Sequence, residues 1–443
     1  MINFLDGLSE PTGRYLVVLA DALQHDEEAM SAALRSVAGI SDIVHASDFP
    51  EGVELTQIDD TTALLFPQLG VAVLAGWPGR LASLNAAADE DERIDAVEPE
   101  QTLYSLSEPG LLTAEYLRGY SDASAALYRH ANNPATEVDA AVNFLDTSEF
   151  TWGLQATKVS TSPWSGAGVP VAMLDTGFDL RHPDFADRSI TSRSFVPNET
   201  VRDVHGHGTH VTGTSSGPLD PPGDSRRYGV ASNASIFIGK VLNDRGSGTD
   251  AQILAGIDWA ITNRCRIVSM SLGSSVRAVS PTYEAVGRRA MEAGCVIIAA
   301  AGNNASRSQG RFGFVGRPAN SPSIMAVGAV DSRLRVADFS ARSNLVAGGQ
   351  VDIVGPGVAT YSSWTVPTRY RTISGTSMAT PHVAGIAALL SQASGTTGSA
   401  TTGSATTGSA TTGSALWGLL VRGAQRLPLD SVDVGAGLVQ APQ

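Results

Sequence analysis

A chain of 443 residues, 42% hydrophobic and only 17% charged, can bury one large core and at least one smaller domain. Its apolar runs break well short of bilayer length and it carries no basic stripe interleaved with aromatics, which argues against a membrane span and against nucleic acid as a partner. The net charge of −14 is uneven: residues 1–130 hold 22 acidic and 6 basic side chains, a balance of −16, against +2 for the remainder. That asymmetry favours docking of an acidic front segment on the rest of the chain, although solubility is an equally good reason for it.

The start, Met1 to Gly7, lacks the basic residues and long apolar core of a secretory signal. The expectation is a cytoplasmic protein, with export by an unusual route left open. Residues 15 to 104 read as a small domain: strand Tyr15 to Ala20, helix Glu27 to Val37, strand Asp42 to Ser47, a strand pair or one bent strand over Ala63 to Leu74, helix Arg80 to Ala88, and a strand region over Ile94 to Leu106. This order is that of a ferredoxin-like α+β unit, assigned to residues 1–106. Residues 107–150 form a connector, helical over Leu111 to His130 and stopped at Asn132-Asn133-Pro134.

From residue 151 onward, short apolar runs alternate with helical patterns, which predicts an α/β body with a mainly parallel sheet and helices on both faces. Pro170 to Asp175 is an apolar strand ending in a carboxylate, a residue that fits a turn cap as well as catalysis. His205, His207 and His210 share a Gly-rich stretch. They lack the glutamate of a His-Glu-x-x-His zinc site, so a histidine accepting a hydroxyl proton while bonded to a carboxylate is the better reading. Strands are predicted at Ile236 to Val241 and Ile267 to Ser274, helices at Gln252 to Thr262 and Tyr283 to Ala293. The strand Cys295 to Ala300 runs into Gly302-Asn303-Asn304. Cys265 and Cys295 each precede an apolar strand and read as two buried thiols; a disulfide is geometrically conceivable only if those strands are neighbours.

Ser374 to Gly385 is a small-residue turn entering an apolar helix, which sets Ser377 in the first helical turn beside unpaired backbone N–H groups. Taken alone, a Ser/Thr cap on a core helix is the commoner explanation of that motif. The repeats Thr-Thr-Gly-Ser-Ala over 396–415 have too little apolar surface to offset ordering, so they read as a flexible loop between two helices, with an apolar helix resuming at Leu416 to Val421.

The blocks Met173 to Gly177, His207 to Gly213 and Gly375 to Gly385, in that order, resemble the subtilisin-like serine peptidases, the subtilases; the likeness extends over residues 150 to 440. It implies that Ser377 is the nucleophile, His207 its base, Asp175 the carboxylate that orients the imidazole, and Asn303 an oxyanion donor. It implies pocket walls at Ser271, Leu272, Gly273 and at Ala300, Ala301, Gly302, with Gly316 as an open, uncharged base suited to a sizeable apolar or aromatic side chain. Arg317 beside it either favours acidic peptide groups or points to solvent.

The front domain resembles the propeptides of that family, which act as intramolecular chaperone and inhibitor, down to Val97-Glu98-Pro99-Glu100 near its end. Asp184, in His182-Pro183-Asp184, matches a calcium ligand of many members, but the loop near Pro218 to Tyr228 brings prolines and Arg226 and Arg227 instead of oxygen ligands. The expectation is that the chemistry needs no cofactor and that this site holds no calcium, others being left open. The resemblance implies a serine endopeptidase acting on extended peptide or unfolded protein, made as a self-inhibited zymogen and suited to processing inside the cell. The competing class is a permanently occluded, silent binding or regulatory protein.

Overall fold

The computed structural model describes residues 11–24, 26–38, 40, 42–48, 62–75, 84, 86, 88, 91–106, 143–224, 226–344, 348–399 and 412–443. The expected connector helix Leu111 to His130 lies outside them, and the expected helix Arg80 to Ala88 is described only at Leu84, Ala86 and Ala88, all helical.

Among the described residues, seven strands form the body's sheet: β6 Pro170–Asp175, β7 Ile190–Ser194, β8 Ser235–Lys240, β10 Ile267–Met270, β12 Val296–Ala300, β13 Met325–Val330 and β14 Ile353–Pro356. Their order is β14-β13-β12-β10-β6-β8-β7 and every pairing is parallel. Continuous apolar runs such as Val296-Ile297-Ile298 suit strands buried on both faces. The chain leaves β6 toward β8 and β7 on one side and returns to β10 on the other, so the strand order reverses beside β6. A crevice opens at the carboxyl ends there. Asp175 ends β6, Ser271 follows β10 and Asn303 follows β12, which gathers all three at one edge.

The helix Thr376–Ser399 crosses this sheet with Met378, Ala379, Val383, Ala384 and Ile386 to Leu389 fully buried. Its length corrects the expected loop at 396–415. Residues 396–399 continue the helix, and Gly413 to Ala415 open the next, Gly413–Gly423, because the Thr412 hydroxyl accepts the Ala415 N–H at 3.2 Å as an N-cap. Residues 400–411 lie outside the described residues.

The front unit is an α+β sheet: β1 Pro11–Leu19, β2 Asp42–His45, β3 Thr62–Phe66, β4 Val71–Ala75 and β5 Ile94–Ser105, with the helix Glu27–Ala38 packed on it. Ala63 to Leu74 is a hairpin of two strands, not one bent strand. The order β2-β3-β4-β1-β5 does not end at β5. β5 also pairs antiparallel with two short strands of the body, β9 Ser247–Thr249 and β11 Leu272–Gly273.

Charge asymmetry has a structural counterpart at this junction. Asp21 of the front unit pairs with Arg288 and Arg289, which hold its carboxyl below the ordinary carboxylate value. Arg289 is almost fully buried and donates to the carbonyls of Leu19, Leu69 and Gly70 as well. Cys265 and Cys295 are buried free thiols ahead of β10 and β12, which do pair, and burial pushes Cys265 up to about 12.

Candidate active site

His207 is the first residue of the helix His207–Ser216, and its Nδ1 lies 2.7 Å from Asp175 Oδ1. That oxygen also accepts the Thr176 N–H at 2.8 Å, which fixes the carboxylate plane. His207 Nε2 has no hydrogen-bond partner among the described residues. The ring is fully buried, so a bond to Asp175 through Nδ1–H leaves Nε2 as a base awaiting a proton.

The helix is aimed by Asp203, a residue the sequence reading overlooked. Its carboxylate accepts the N–H groups of Gly206 and Thr209 at 2.7 and 2.8 Å and the hydroxyls of Thr176 and Thr209. Thr176 in turn accepts the Gly208 N–H at 2.8 Å, tying the turn after β6 to the helix start. Gly177 serves the same approach: at φ +102° a Cβ there would meet Val201 O at 2.2 Å. Desolvation raises Asp203 above the usual carboxylate range. An Asp three residues ahead of a Gly-His helix start is the pattern that could have revealed it.

Ser377 follows Thr376 in the first turn of its helix and is fully buried. Its hydroxyl donates to Ser271 O at 2.9 Å, while Ser271 Oγ donates to Ser377 O at 2.8 Å. Asn303 is held by its acceptor end: Thr376 N–H and Oγ1–H reach Asn303 Oδ1 at 2.9 and 2.8 Å. Its amide Nδ2 is thereby turned outward, and it donates to Leu106 O at 2.7 Å.

Leu106 closes the strand that fills the cleft. Its N–H donates to Ser271 O at 3.2 Å, the same carbonyl that holds the Ser377 hydroxyl. Upstream, Ser105 and Tyr104 pair with Leu272 and Gly273, Ser105 N–H donates to Gly246 O at 2.9 Å, and Tyr104, Leu103 and Thr102 face Ser247 to Thr249. The expected wall Ser271-Leu272-Gly273 is therefore a β-edge in use, with the front segment as the middle strand of three. A Cβ on Gly273 would stand 3.0 Å from Leu106 Cδ1, so the bare glycine gives that side chain its room. Ala300, Ala301 and Gly302 lie on the facing strand end, Ala301 N–H bonded to Val327 O and Gly302 N–H to Thr376 Oγ1. Gly316 donates to Ala301 O at 3.0 Å, and a Cβ there would meet Ser274 O at 2.2 Å. Arg317 does not point to solvent: it is 4% exposed and pairs with Glu98 and Asp250.

The remaining sequence candidates have other partners. His210 Nε2 faces the carbonyls of Thr360 and Arg371 at 3.1 and 3.2 Å, and burial lowers its pKa to about 3. Among the described residues no cluster of three or more His, Cys, Asp or Glu could hold a metal. Both oxygens of Asp184 accept phenolic hydroxyls, from Tyr228 at 2.5 Å and Tyr370 at 2.9 Å. The Arg227 guanidinium takes the carbonyls of Gly229 and Val230. A hard cation wants six or more free oxygens, so this donor set does not fit calcium.

A buried Asp–His pair, a serine on a helix start and an amide aimed at a peptide carbonyl define the hydrolytic class that works through a serine. A family model described as the subtilase family, Peptidase S8, matches residues 166–429, more than half of the chain. The chain is 40% identical over 238 residues to Subtilisin DY of Bacillus licheniformis, covering 54% of this chain and 81% of that protein. It is 41% identical over 239 residues to Subtilisin E of Bacillus subtilis, covering 54% of this chain and 59% of that relative's length. It is also 40% identical over 268 residues to a Thermostable alkaline protease of Halalkalibacterium halodurans, covering 60% and 68%. The chain belongs to the subtilase family and is a serine endopeptidase of the subtilisin-like type.

Proposed function

We propose that the protein is a self-inhibited zymogen whose ferredoxin-like front unit is both inhibitor and first substrate, cut between Leu106 and Ser107. The observation that carries this reading is the Asn303 Nδ2 bond to Leu106 O, made while Leu106 N–H and the Ser377 hydroxyl share Ser271 O. That is the placement a scissile carbonyl needs, with an oxyanion donor already on it.

For reaction, the Ser377 hydroxyl turns from Ser271 O to His207 Nε2. Oγ attacks the Leu106 carbonyl carbon as Nε2 takes its proton; Asn303 stabilises the oxygen as it becomes negative, and Asp175 the imidazolium. Collapse breaks the Leu106–Ser107 bond, the Ser107 amine leaves with the proton from His207, and water then hydrolyses the ester to free Ser377. Substrates in trans would be extended chains pairing with the same two edges, with a leucine-sized apolar side chain over Gly273.

Intact mass under denaturing conditions tests this. Wild type should give fragments 1–106 and 107–443, summing to the full chain plus one water, while Ser377→Ala stays whole. A different junction overturns the register, and identical cutting of Ser377→Ala overturns the mechanism. Two whole chains, with no uptake of a fluorophosphonate before or after removal of the front unit from a folded body, would favour the silent binding protein.

A further inference from the structure

The strand that enters the cleft is gripped a second time, far from the chemistry. Glu98 and Glu100 stand two residues apart on β5, eight and six residues ahead of Leu106, so they share one face of the strand. Glu100 is fully buried; it accepts the Ala251 N–H at 3.0 Å and is paired with Arg14 of its own unit. Among the described residues, the Glu98 side chain is seated by the body alone. Its carboxylate accepts the Ser280 hydroxyl, the Thr282 N–H at 3.1 Å and the Arg317 Nη1–H at 3.1 Å.

This seat has the features of a built site. Ser280 and Thr282 open the helix Pro281–Glu292, twelve residues long, whose N-terminus favours an anion. Ser280, Thr282 and Arg317 are 1%, 0% and 4% exposed, and Arg317 Nε and Thr282 Oγ1 have no hydrogen-bond partner among the described residues. The arginine is aimed independently of Glu98: Nη2 pairs with Asp250 Oδ2 at 2.8 Å, and the guanidinium lies 5.1 Å from the centre of the Tyr283 ring. Asp250 is anchored in turn by the Tyr283 hydroxyl at 2.9 Å. Its other oxygen also accepts the Gln101 N–H at 2.7 Å, a main-chain group of the incoming strand. When the front unit leaves, the helix start, the Ser280 hydroxyl and the Arg317 Nη1 that face Glu98 remain on the body without it, while Nη2 keeps Asp250.

We infer that Ser280, Thr282 and Arg317 form a distal substrate subsite that selects a glutamate or aspartate eight residues upstream of the residue whose carbonyl is attacked. This rests on the serine-peptidase reading and on Leu106 as that residue. The reach from Leu106 to Glu98 is about 26 Å of extended strand, so peptides of four or five residues would never meet this subsite. The preferred substrates are extended acidic segments running into an apolar residue at the cut. A lone carboxylate desolvated against a fixed arginine and two further donors gives a charge-assisted contact.

The test compares two quenched fluorescent peptides of this chain's own sequence, residues 95–110, one as it stands and one with Glu98→Gln. The enzyme is the self-processed chain once mass shows that fragment 1–106 has gone, and the readout is the ratio of their kcat/KM values. The glutamate peptide is expected to be cut about tenfold better. In Arg317→Gln that ratio should fall to about one, and in Arg317→Lys part of it should survive. Because each enzyme is compared with itself on two substrates, a variant with a smaller folded fraction still reports. Equal kcat/KM for the two peptides in wild type overturns the subsite and leaves the peptidase reading intact. An unchanged ratio in Arg317→Gln overturns the role of the arginine, and cleavage of neither peptide by enzyme freed of fragment 1–106 overturns Leu106 as the attacked residue and this inference with it.

Discussion

Four helix starts of the body, those of His207–Ser216, Asp250–Thr262, Pro281–Glu292 and Thr376–Ser399, hold either the catalytic centre or the strand that enters it, and they are capped in two different ways. The His207 and Thr376 helices are completed from within the body: Asp203 takes the N–H groups of Gly206 and Thr209, and Asn303 takes that of Thr376. The starts at Asp250 and Pro281 are completed partly from outside: Glu100 accepts Ala251 N–H, and Glu98 accepts Thr282 N–H. An internal cap is permanent and fixes catalytic geometry. On the zymogen proposal a borrowed cap lasts only while the front unit stays, so the first pair would build the catalytic centre and the second would hold its cover.

Breaking the internal pair should cost most. Asn303→Ala removes the amide on Leu106 O, and self-processing should slow by about 100- to 1000-fold, a magnitude borrowed from the same amide in a bacterial subtilisin. The check is the time course of fragment 1–106 by mass, with the circular dichroism spectrum unchanged. Asp203→Ala leaves the Gly206 and Thr209 N–H groups and two hydroxyls without their acceptor, and should cost about 2–4 kcal/mol of stability. Thermal unfolding in a Ser377→Ala background measures this free of self-digestion; an unchanged midpoint would refute the capping role. Glu100→Gln attacks the borrowed pair and should cost about 1–3 kcal/mol, confined to the junction. Its reading is faster loss of fragment 1–106 after cutting, with turnover of a short peptide unaltered. Slower turnover of that peptide would mean that Glu100 shapes the centre itself.

The sequence made the internal pair far more legible than the borrowed one, for a physical reason. Asp175, His207 and Ser377 each sit at an element boundary written in neighbouring residues: an apolar strand end, a Gly-flanked helix start, a small-residue turn. The parallel sheet is equally local in origin, since buried strands read as unbroken apolar runs such as Val296 to Ala300. The cap provided by Asp203 is only half local: its donors Gly206 and Thr209 lie three and six residues on, but the Thr176 hydroxyl comes from a turn that only folding brings near. Leu106 lay at the end of a correctly placed strand, yet nothing in that strand says which backbone it will pair with. Arg317 left two alternatives open, because pairing with Glu98 and Asp250 joins positions 219 and 67 residues apart in the chain. The phenols on Asp184 were beyond reach for the same reason, whereas the poor oxygen supply of the 218–228 loop was visible directly.

The smallest expected effect sharpens the internal side of the comparison through pH. His382 lies inside the helix that carries Ser377, its Nδ1 2.8 Å from Met378 O, and burial lowers its pKa to about 4. The unfolded ring titrates near 6.5. A depressed folded value means that the unfolded chain binds the proton first as pH falls. The stability that the neutral ring contributes is therefore complete above about pH 6.5 and is lost progressively as pH falls through about 4. At pH 6 that loss is about 0.8 kcal/mol for the one ring. His382→Gln keeps a donor for Met378 O and has no proton to gain, so between pH 7.5 and 6 its unfolding midpoint should fall less than that of its Ser377→Ala parent. Parallel curves would mean that His382 is protonated as readily in the folded body as outside it, and that the helix bearing the nucleophile is not the dry element its burial describes.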